Sequence, residues 1–397
     1  MPPDRPTRLP RTVWALGVVS LFMDASSESI HGLLPLFLTV TLGASAATVG
    51  LIDGVGEAVA SITKMFSGAL SDRIGRRKPL VLLGYGLAAL SKPLFPLAGS
   101  AAVVFAARFA DRFGKGVRGA PRDAMVADVT PPELRGRAFG LRQALDTVGA
   151  IIGPLAAVAL MAAFADNMRL VFWIATIPAV LAALVVLIAV KEDAGPAHSG
   201  VARPPLRLAE LRRLPSDFWQ VIAIATVFTL ARFSEAFLVL KAHAVGLPLA
   251  LAPLVLVAMS VVYAAGSYPA GVWADRASPR RLLIAGLASL VAADLTLAEA
   301  PSVAVAFAGI VLWGAHMALS QGLLAKLVAE YAPAELRGSA FGIFNLATGL
   351  GALVASVLAG VLWDWQGAGA TFLAGAIFAA LAAAMVPLAT ERHSKVG

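Results

Sequence analysis

Titratable side chains stand at helical spacing inside long apolar stretches of this chain. Asp24, Glu28 and His31 lie at i, i+4 and i+7, and Asp53 and Glu57 lie at i and i+4, so a helix places each set on one face. Shielded carboxyl groups can take up and release protons as their surroundings change. Oxygen ligands with an imidazole also suit several transition metals. The pattern favours proton transfer, with a weaker metal alternative at Asp24, Glu28 and His31.

A second polar set forms a stripe at helical spacing, and its members are Arg108, Asp111, Arg112, Lys115, Arg118 and Arg122. Each charge at the centre of a membrane helix costs about 2.5–3.5 kcal/mol, so the stripe must face protein and have partners. Asp111 itself and the pair Arg142 and Asp146 are the candidate partners. The stripe either supports the fold through fixed ion pairs or receives an anionic carboxylate or phosphate.

The elements that must position these residues are membrane helices. Hydrophobic residues make up 59% of the chain and charged residues 14%, against roughly 25% charged in soluble domains. Twelve apolar runs are long enough to span a bilayer, and we label them α1 to α12 in chain order: about 13–41, 48–71, 79–98, 101–127, 137–164, 169–190, 217–245, 249–274, 282–298, 302–329, 338–364 and 369–390. Glu28 then lies roughly 22 Å into α1, near mid-membrane, at a rise of about 1.5 Å per residue.

Basic residues outside these runs are distributed asymmetrically. They crowd the amino terminus, the even-numbered loops and the tail, while the odd-numbered loops hold only Arg169. This bias predicts that both termini are cytoplasmic in a multi-pass protein of the plasma (bacterial inner) membrane. The net charge of +8 therefore reflects the basic residues that set the orientation in the membrane, and we expect no nucleic-acid partner.

A ten-residue cassette occurs twice, about 203 positions apart (275 − 72). Its residues are Gly68, Asp72, Arg73, Gly75, Arg76 and Arg77 in the first copy, and Gly271, Asp275 and Arg276 in the second. Gly68 and Gly271 are expected to allow close helix approach. The duplication predicts an N-terminal six-helix bundle at 1-191, a cytoplasmic linker at 192-216 and a C-terminal six-helix bundle at 217-397.

The first cassette resembles the loop signature of the major facilitator superfamily of secondary transporters. On α5, Gly149, Gly153 and Pro154 are similar to the Gly-x-x-x-Gly-Pro element of its drug:proton antiporter branch. The resemblance implies an all-α integral membrane fold of two pseudo-symmetric six-helix bundles. It also implies gates, in which Asp72 latches the start of α11 and Asp275 the start of α5. The alternative is that Asp72 only satisfies donors of its own loop.

Proton coupling is assigned to the central carboxylates. We expect Asp24 and Glu28 to carry protons, with Glu57 and Asp146 in reserve and Arg112 as the basic partner. On α7, Glu235 is the counterpart of Glu28, and Arg232 is placed three residues earlier to neutralise it within the same helix. The alternative is that these charges are fixed ion pairs.

The leading functional hypothesis is a proton-coupled secondary transporter that works by alternating access and exports a small organic or amphipathic compound. Proton-coupled uptake of an anionic solute and divalent metal efflux are the alternatives. The sequence has no Gly-x-x-x-x-Gly-Lys-[Ser/Thr] loop and no catalytic constellation, so we expect neither an ATP-driven pump nor an enzyme. No cofactor is expected, and the partners are the substrate, protons and the lipid bilayer, with the protein working as a monomer.

Overall fold

The computed structural model describes residues 8–192, 214–276, 278–320, 322–333 and 336–388. These residues form helices joined by short turns, with no strand in the ranges described. The helices are α1 Arg11–His31, α2 Ala46–Ile74, α3 Lys78–Ser91 with Leu94–Leu97, α4 Ala101–Asp128, α5 Arg135–Ala163, α6 Met168–Ala189, α7 Ser216–Ala231 with Ala236–Ala244, α8 Leu254–Arg276, α9 Pro279–Ala298, α10 Val303–Ser320 with Leu323–Tyr331, α11 Arg337–Gln366 and α12 Ala368–Leu388.

Ten of the helical spans in the described residues are long and apolar enough to cross a membrane. The remaining two long helices are α1 and α4, which carry the charged sets described above. At about 1.5 Å per residue, the 28 residues of α4 extend for roughly 42 Å, which exceeds the hydrocarbon thickness of a bilayer. The predicted twelve-helix architecture is confirmed.

The span predicted at 217–245 is present as Ser216–Ala244, but the helix α7 within it is interrupted. Its first segment ends at Ala231 and its second begins at Ala236. The Ser234 hydroxyl accepts a hydrogen bond from the Ala236 backbone N–H at 3.1 Å and donates one to Asp53 Oδ2 at 2.7 Å. The serine hydroxyl thus satisfies one of the backbone donors that a helix start leaves open, and its bond to α2 fixes the break by tertiary contact.

Contacts divide the chain into two units that depart from chain order. One unit comprises Met1–Ile30 with Val59–Pro204, and the other comprises His31–Ala58 with Pro205–Gly397. The end of α1 and the first part of α2 therefore group with the later helices. Most of the predicted linker, 193–213, lies outside the described residues.

In the first unit, buried apolar side chains from α1, α3, α4 and α6 form a core, among them Leu16, Tyr85, Val126 and Ala182. In the second unit, Phe218 and Ile222 of α7 pack with Val328 of α10 and Ala340 of α11. These cores fix the helices that carry the polar side chains.

Candidate functional site

A seam of small residues joins α5 to α1. A Cβ added at Gly149 would lie 2.5 Å from the carbonyl oxygen of Leu21, and one added at Gly153 would lie 2.5 Å from that of Ala25. The Ser29 hydroxyl lies 2.8 Å from the Gly153 carbonyl oxygen and 2.7 Å from that of Ala25. Only glycine allows this approach, so the Gly-x-x-x-Gly-Pro element places α5 directly against the α1 turns that carry Asp24 and Glu28.

Acidic groups from both helices meet beside this seam. Asp24 and Glu28 are half-buried, and Asp24 interacts electrostatically with Asp146 of α5 and with Glu28. Lys115 and Arg122 of α4 oppose this acidic field. The structure thus brings together three of the predicted carboxylates with two cations, inside one unit.

Asp146 has an ion-pair partner on its own helix. Arg142 Nη1 lies 2.5 Å from Asp146 Oδ2, four residues away, and Arg142 Nε lies 3.7 Å from Asp123 Oδ1. Arg122 Nη2 also contacts Asp123 Oδ1, at 3.1 Å. Acids and bases of α4 and α5 therefore form a chain that ends beside Asp24.

Arg122 was missed as a partner of the acids, because the sequence analysis assigned that role to Arg112. Arg122 Nη1 lies 3.1 Å from Ser20 Oγ on α1 and 3.4 Å from the Tyr85 hydroxyl on α3. Arg112 instead acts on Asp111. Helical spacing placed both arginines on α4, but only the packing of α1 decides which one reaches Asp24.

Four members of the α4 stripe are buried inside the first unit, whereas Lys115 is exposed. Arg108, Asp111, Arg112 and Arg118 are each no more than 6% exposed. Arg118 Nη1 donates to the Gly84 carbonyl oxygen at 3.3 Å, and its guanidinium carbon lies 4.6 Å from the centre of the Tyr85 ring. A backbone carbonyl and an aromatic face thus stabilise the buried positive charge of Arg118.

Lys92 is a functional candidate that sequence reasoning missed. Its Nζ lies 2.9 Å from Asp111 Oδ1 and 2.9 Å from Ser27 Oγ, and its side chain is 2% exposed. Ser27 immediately precedes Glu28 on α1. A lysine inside the apolar run of α3 was the available signal, since ionisable residues in membrane helices are rare and need partners.

The first gating cassette forms a network within its own unit. Arg77 contacts Asp72 Oδ1 through Nη1, and its Nε lies 3.2 Å from Asp128 Oδ2. Partial burial lowers the pKa of Arg77, but hydrogen bonds and charge from Asp72 and Asp128 outweigh it, so the pKa is raised. The Glu192 carboxylate accepts hydrogen bonds from the backbone N–H groups of Arg77 and Lys78. Asp72 thus accepts a hydrogen bond from Arg77 of its own loop, as the alternative to the gate requires. Its side chain is 56% exposed.

The glycines of the two cassettes differ. A Cβ at Gly68 would lie 3.3 Å from Ala120 Cβ on α4, whereas one at Gly271 would meet nothing within 4 Å. The expectation that Gly271 permits close helix approach is therefore wrong for the part of the chain that the structure describes, since none of it lies within 4 Å of that position. Gly75 adopts φ +69° and forms the turn after α2. The side chains of Asp275 and Arg276 lie outside the described residues.

Arg232 and Glu235 both lie in the break of α7, so the expectation that one continuous helix carries them is wrong. Arg232 feels the charge of Glu235, and its guanidinium carbon lies 5.9 Å from the centre of the Phe228 ring. Glu57 is exposed, and His31 is buried in the second unit. Among the described residues, no three His, Cys, Asp or Glu side chains converge as metal ligands.

Comparison with known proteins gives one consistent family. The sequence profile of the Major Facilitator Superfamily matches residues 15–241 and 236–396. An uncharacterized MFS-type transporter of Methanocaldococcus jannaschii is 31% identical over 386 residues, which cover 94% of this chain and 93% of the relative. The multidrug resistance protein MdtH of Photorhabdus laumondii is 32% identical over 126 residues, covering 32% and 31%. The crystal structure of the nucleoside transporter NupG matches with a TM-score of 0.82 at 11% identity over 96% of this chain and 100% of that one.

Proposed function

The chain belongs to the major facilitator superfamily, and we propose that it is a proton-coupled secondary transporter that exports a small organic or amphipathic compound by alternating access. As a member of this family it is a multi-pass membrane transporter of a small-molecule substrate and not an enzyme. Proton coupling, the direction of transport and the substrate class are the proposed part.

The observation that supports proton coupling is the electrostatic interaction of Asp24 on α1 with Asp146 on α5, whose helices pack closely at the glycine seam. Carboxylates that repel one another electrostatically favour the protonation of one of them. Glu28 stands one turn further along the same face of α1. We propose Asp24 and Glu28 as the proton carriers and Asp146 as their acidic partner.

Cations next to the acids provide the means of coupling. Lys115 and Arg122 carry charge of the opposite sign to an ionised Asp24, and Asp146 and Glu28 carry charge of the same sign. A movement of α4 relative to α1, or a substrate that competes for Lys115, would change this balance and with it the proton occupancy. Release of a proton is thereby linked to conformation.

Export is supported by two further observations. The α5 element is similar to that of the drug:proton antiporter branch, and the partial relative MdtH is named a multidrug resistance protein. We accordingly place the protein in the antiporter branch, in the plasma (bacterial inner) membrane with both termini cytoplasmic, working as a monomer. The bundle limits of 1-191 and 217-397 and the latches of Asp72 on α11 and Asp275 on α5 belong to the same proposal.

Uptake of an anionic solute is a second candidate because one observation favours it. Arg108, Arg112 and Arg118 are all buried on α4, and arginine clusters recognise carboxylate and phosphate groups. In that case the protons and the solute enter together, whereas in export they move in opposite directions.

The test is a proton-flux assay in proteoliposomes that enclose a pH-sensitive dye and experience an imposed pH gradient. Amphipathic amines, organic anions and divalent metals are added in turn. We expect proton flux that depends on an amphipathic compound and is lost in Asp24→Asn and Glu28→Gln. The matched control is Asp166→Asn, which changes an exposed carboxylate in the turn after α5. Unchanged proton flux in both test variants contradicts the proposal, and so does proton flux that no class of added compound alters. Cotransport of organic anions with protons supports the second candidate instead.

A further inference from the structure

Asp294 on α9 is a buried acid of the second unit. Asp294 is 0% exposed. Neither of its carboxylate oxygens has a hydrogen-bond partner, and no ion pair involves it among the described residues. A buried carboxylate without a partner is strongly disfavoured in the charged form.

The packing around Asp294 is tight. A Cβ added at Gly375 of α12 would lie 2.6 Å from Asp294 Oδ2 and 2.8 Å from Phe233 Cε1, so the carboxyl group lies against the α12 backbone beside the edge of that ring. Phe233 in turn contacts Trp313 and Phe372, with ring centres 5.4 and 5.5 Å apart. This wall leaves no space for an organic ligand next to the carboxyl group.

The neighbouring helices offer no direct counter-charge. The Ala368–Leu388 segment of α12 contains no charged side chain. On α10, His316 Nδ1 lies 2.8 Å from the Gly286 carbonyl oxygen, about two helical turns along α9 from Asp294. On α7, Arg232 and Glu235 flank Phe233 in the helix break, and Lys241 Nζ lies 3.4 Å from the Ala298 carbonyl oxygen.

We propose that Asp294 is a second proton-binding site, which holds a proton in this conformation and is closed by Phe233. The neutral acid removes the cost of an uncompensated charge, and a bound proton needs no space beyond that of the carboxyl group itself. Phe233 lies in the irregular segment between the two parts of α7. A change in that segment would hydrate Asp294 or bring Arg232 to it, and either event releases the proton. The inference deepens the proposed proton coupling but stands on different residues, in the second unit.

Infrared spectroscopy of the purified protein in lipid tests the proposal without a substrate. Wild-type protein at neutral pH is expected to show a C=O stretching band of a protonated, buried carboxyl group that is lost in Asp294→Asn. Glu299→Gln removes an exposed acid just after the same helix and is expected to leave the band unchanged. An undiminished band in Asp294→Asn overturns the proposal.

A second variant keeps the carboxyl group in place and covers the case in which Asp294→Asn does not fold. Phe233→Ala opens the wall, so water is expected to ionise Asp294 and the band is expected to disappear at neutral pH. In the wild type, the band is expected to fall on alkaline titration. A band that survives in Phe233→Ala with its full intensity overturns the closure by Phe233. These bands are measured without transport. The infrared result for Asp294 and the flux result for Glu28→Gln can therefore contradict their respective proposals independently of each other.

Discussion

Breaking the buried pair between Lys92 and Asp111 is expected to destabilise the protein by different amounts depending on which partner is removed. The two side chains are 2% and 4% exposed, and the ammonium nitrogen lies 2.9 Å from Asp111 Oδ1. Asp111 also experiences the positive charges of Arg112, Arg118 and Arg108. It is therefore the shared anion of a cluster of cations, whereas Lys92 is one cation among several.

The asymmetry sets the magnitudes. Asp111→Asn leaves buried cations facing one another without their anion, and removing one partner of a buried pair costs about 3–5 kcal/mol. Lys92→Met removes one charged donor but leaves Asp111 its arginine neighbours, so the loss is about 1.5–3 kcal/mol, the value of a hydrogen bond to a charged group. The double variant is expected to cost less than the sum of the single variants by about 2 kcal/mol, within the range for residues in direct contact.

The assay is equilibrium unfolding of the purified protein in mixed lipid and detergent micelles, with a double-mutant cycle at positions 92 and 111. Lys326→Met is the matched control, because Lys326 lies 4.0 Å from Glu330 and both side chains are about half exposed. That exposed pair is worth under about 0.5 kcal/mol. Equal losses for Lys92→Met and Asp111→Asn, or strict additivity in the double variant, would refute the reasoning.

Three further predictions concern the helix contacts. Gly153→Leu forces a side chain into the α1 backbone and is expected to cost at least about 2 kcal/mol in unfolding free energy, whereas Gly140→Leu, which faces open space, is tolerated. Asp364 accepts hydrogen bonds from the Ala46 backbone N–H at 2.9 Å and from the next N–H at 2.8 Å. Asp364→Ala is therefore expected to lower the unfolding free energy by about 1 kcal/mol and to increase hydrogen exchange at the start of α2. Unchanged exchange there counts against this cap. Asp72→Asn is expected to shift accessibility toward the inward-open state. The shift is measured by labelling single cysteines introduced into this cysteine-free chain. An unaltered labelling pattern together with normal transport rejects the gate.

Sequence periodicity predicted the twelve helices and placed the α4 charges on one stripe, because membrane helices must satisfy their backbone internally and hide their charges. The break in α7 had no such signal, since residues 232–235 contain neither proline nor glycine. It depends on Ser234, whose hydroxyl is held by Asp53 from a distant helix. Spacing along one helix cannot reveal that contact.

The acidic residues of the candidate site could be predicted from the sequence, but the cations that lie beside them could not. Asp24, Glu28 and Asp146 stood out as acids in apolar runs, while the identity of their cations depended on how α4 packs. Lys92 and Asp294 carried the same signal, a lone charge in an apolar run. Gly271 illustrates the converse, because its place in a repeated cassette predicted a contact that α8 does not make.

The most direct test of proton coupling compares two transport modes in proteoliposomes containing Asp24→Asn or Glu28→Gln, using the compound that drives proton flux in the wild type. Exchange of labelled for unlabelled compound needs substrate binding and alternating access but no net proton movement. Transport driven by a pH gradient needs the proton carriers as well. The account predicts that exchange persists while gradient-driven accumulation is lost. Equal loss of both modes, or gradient-driven accumulation at the wild-type level, would contradict it.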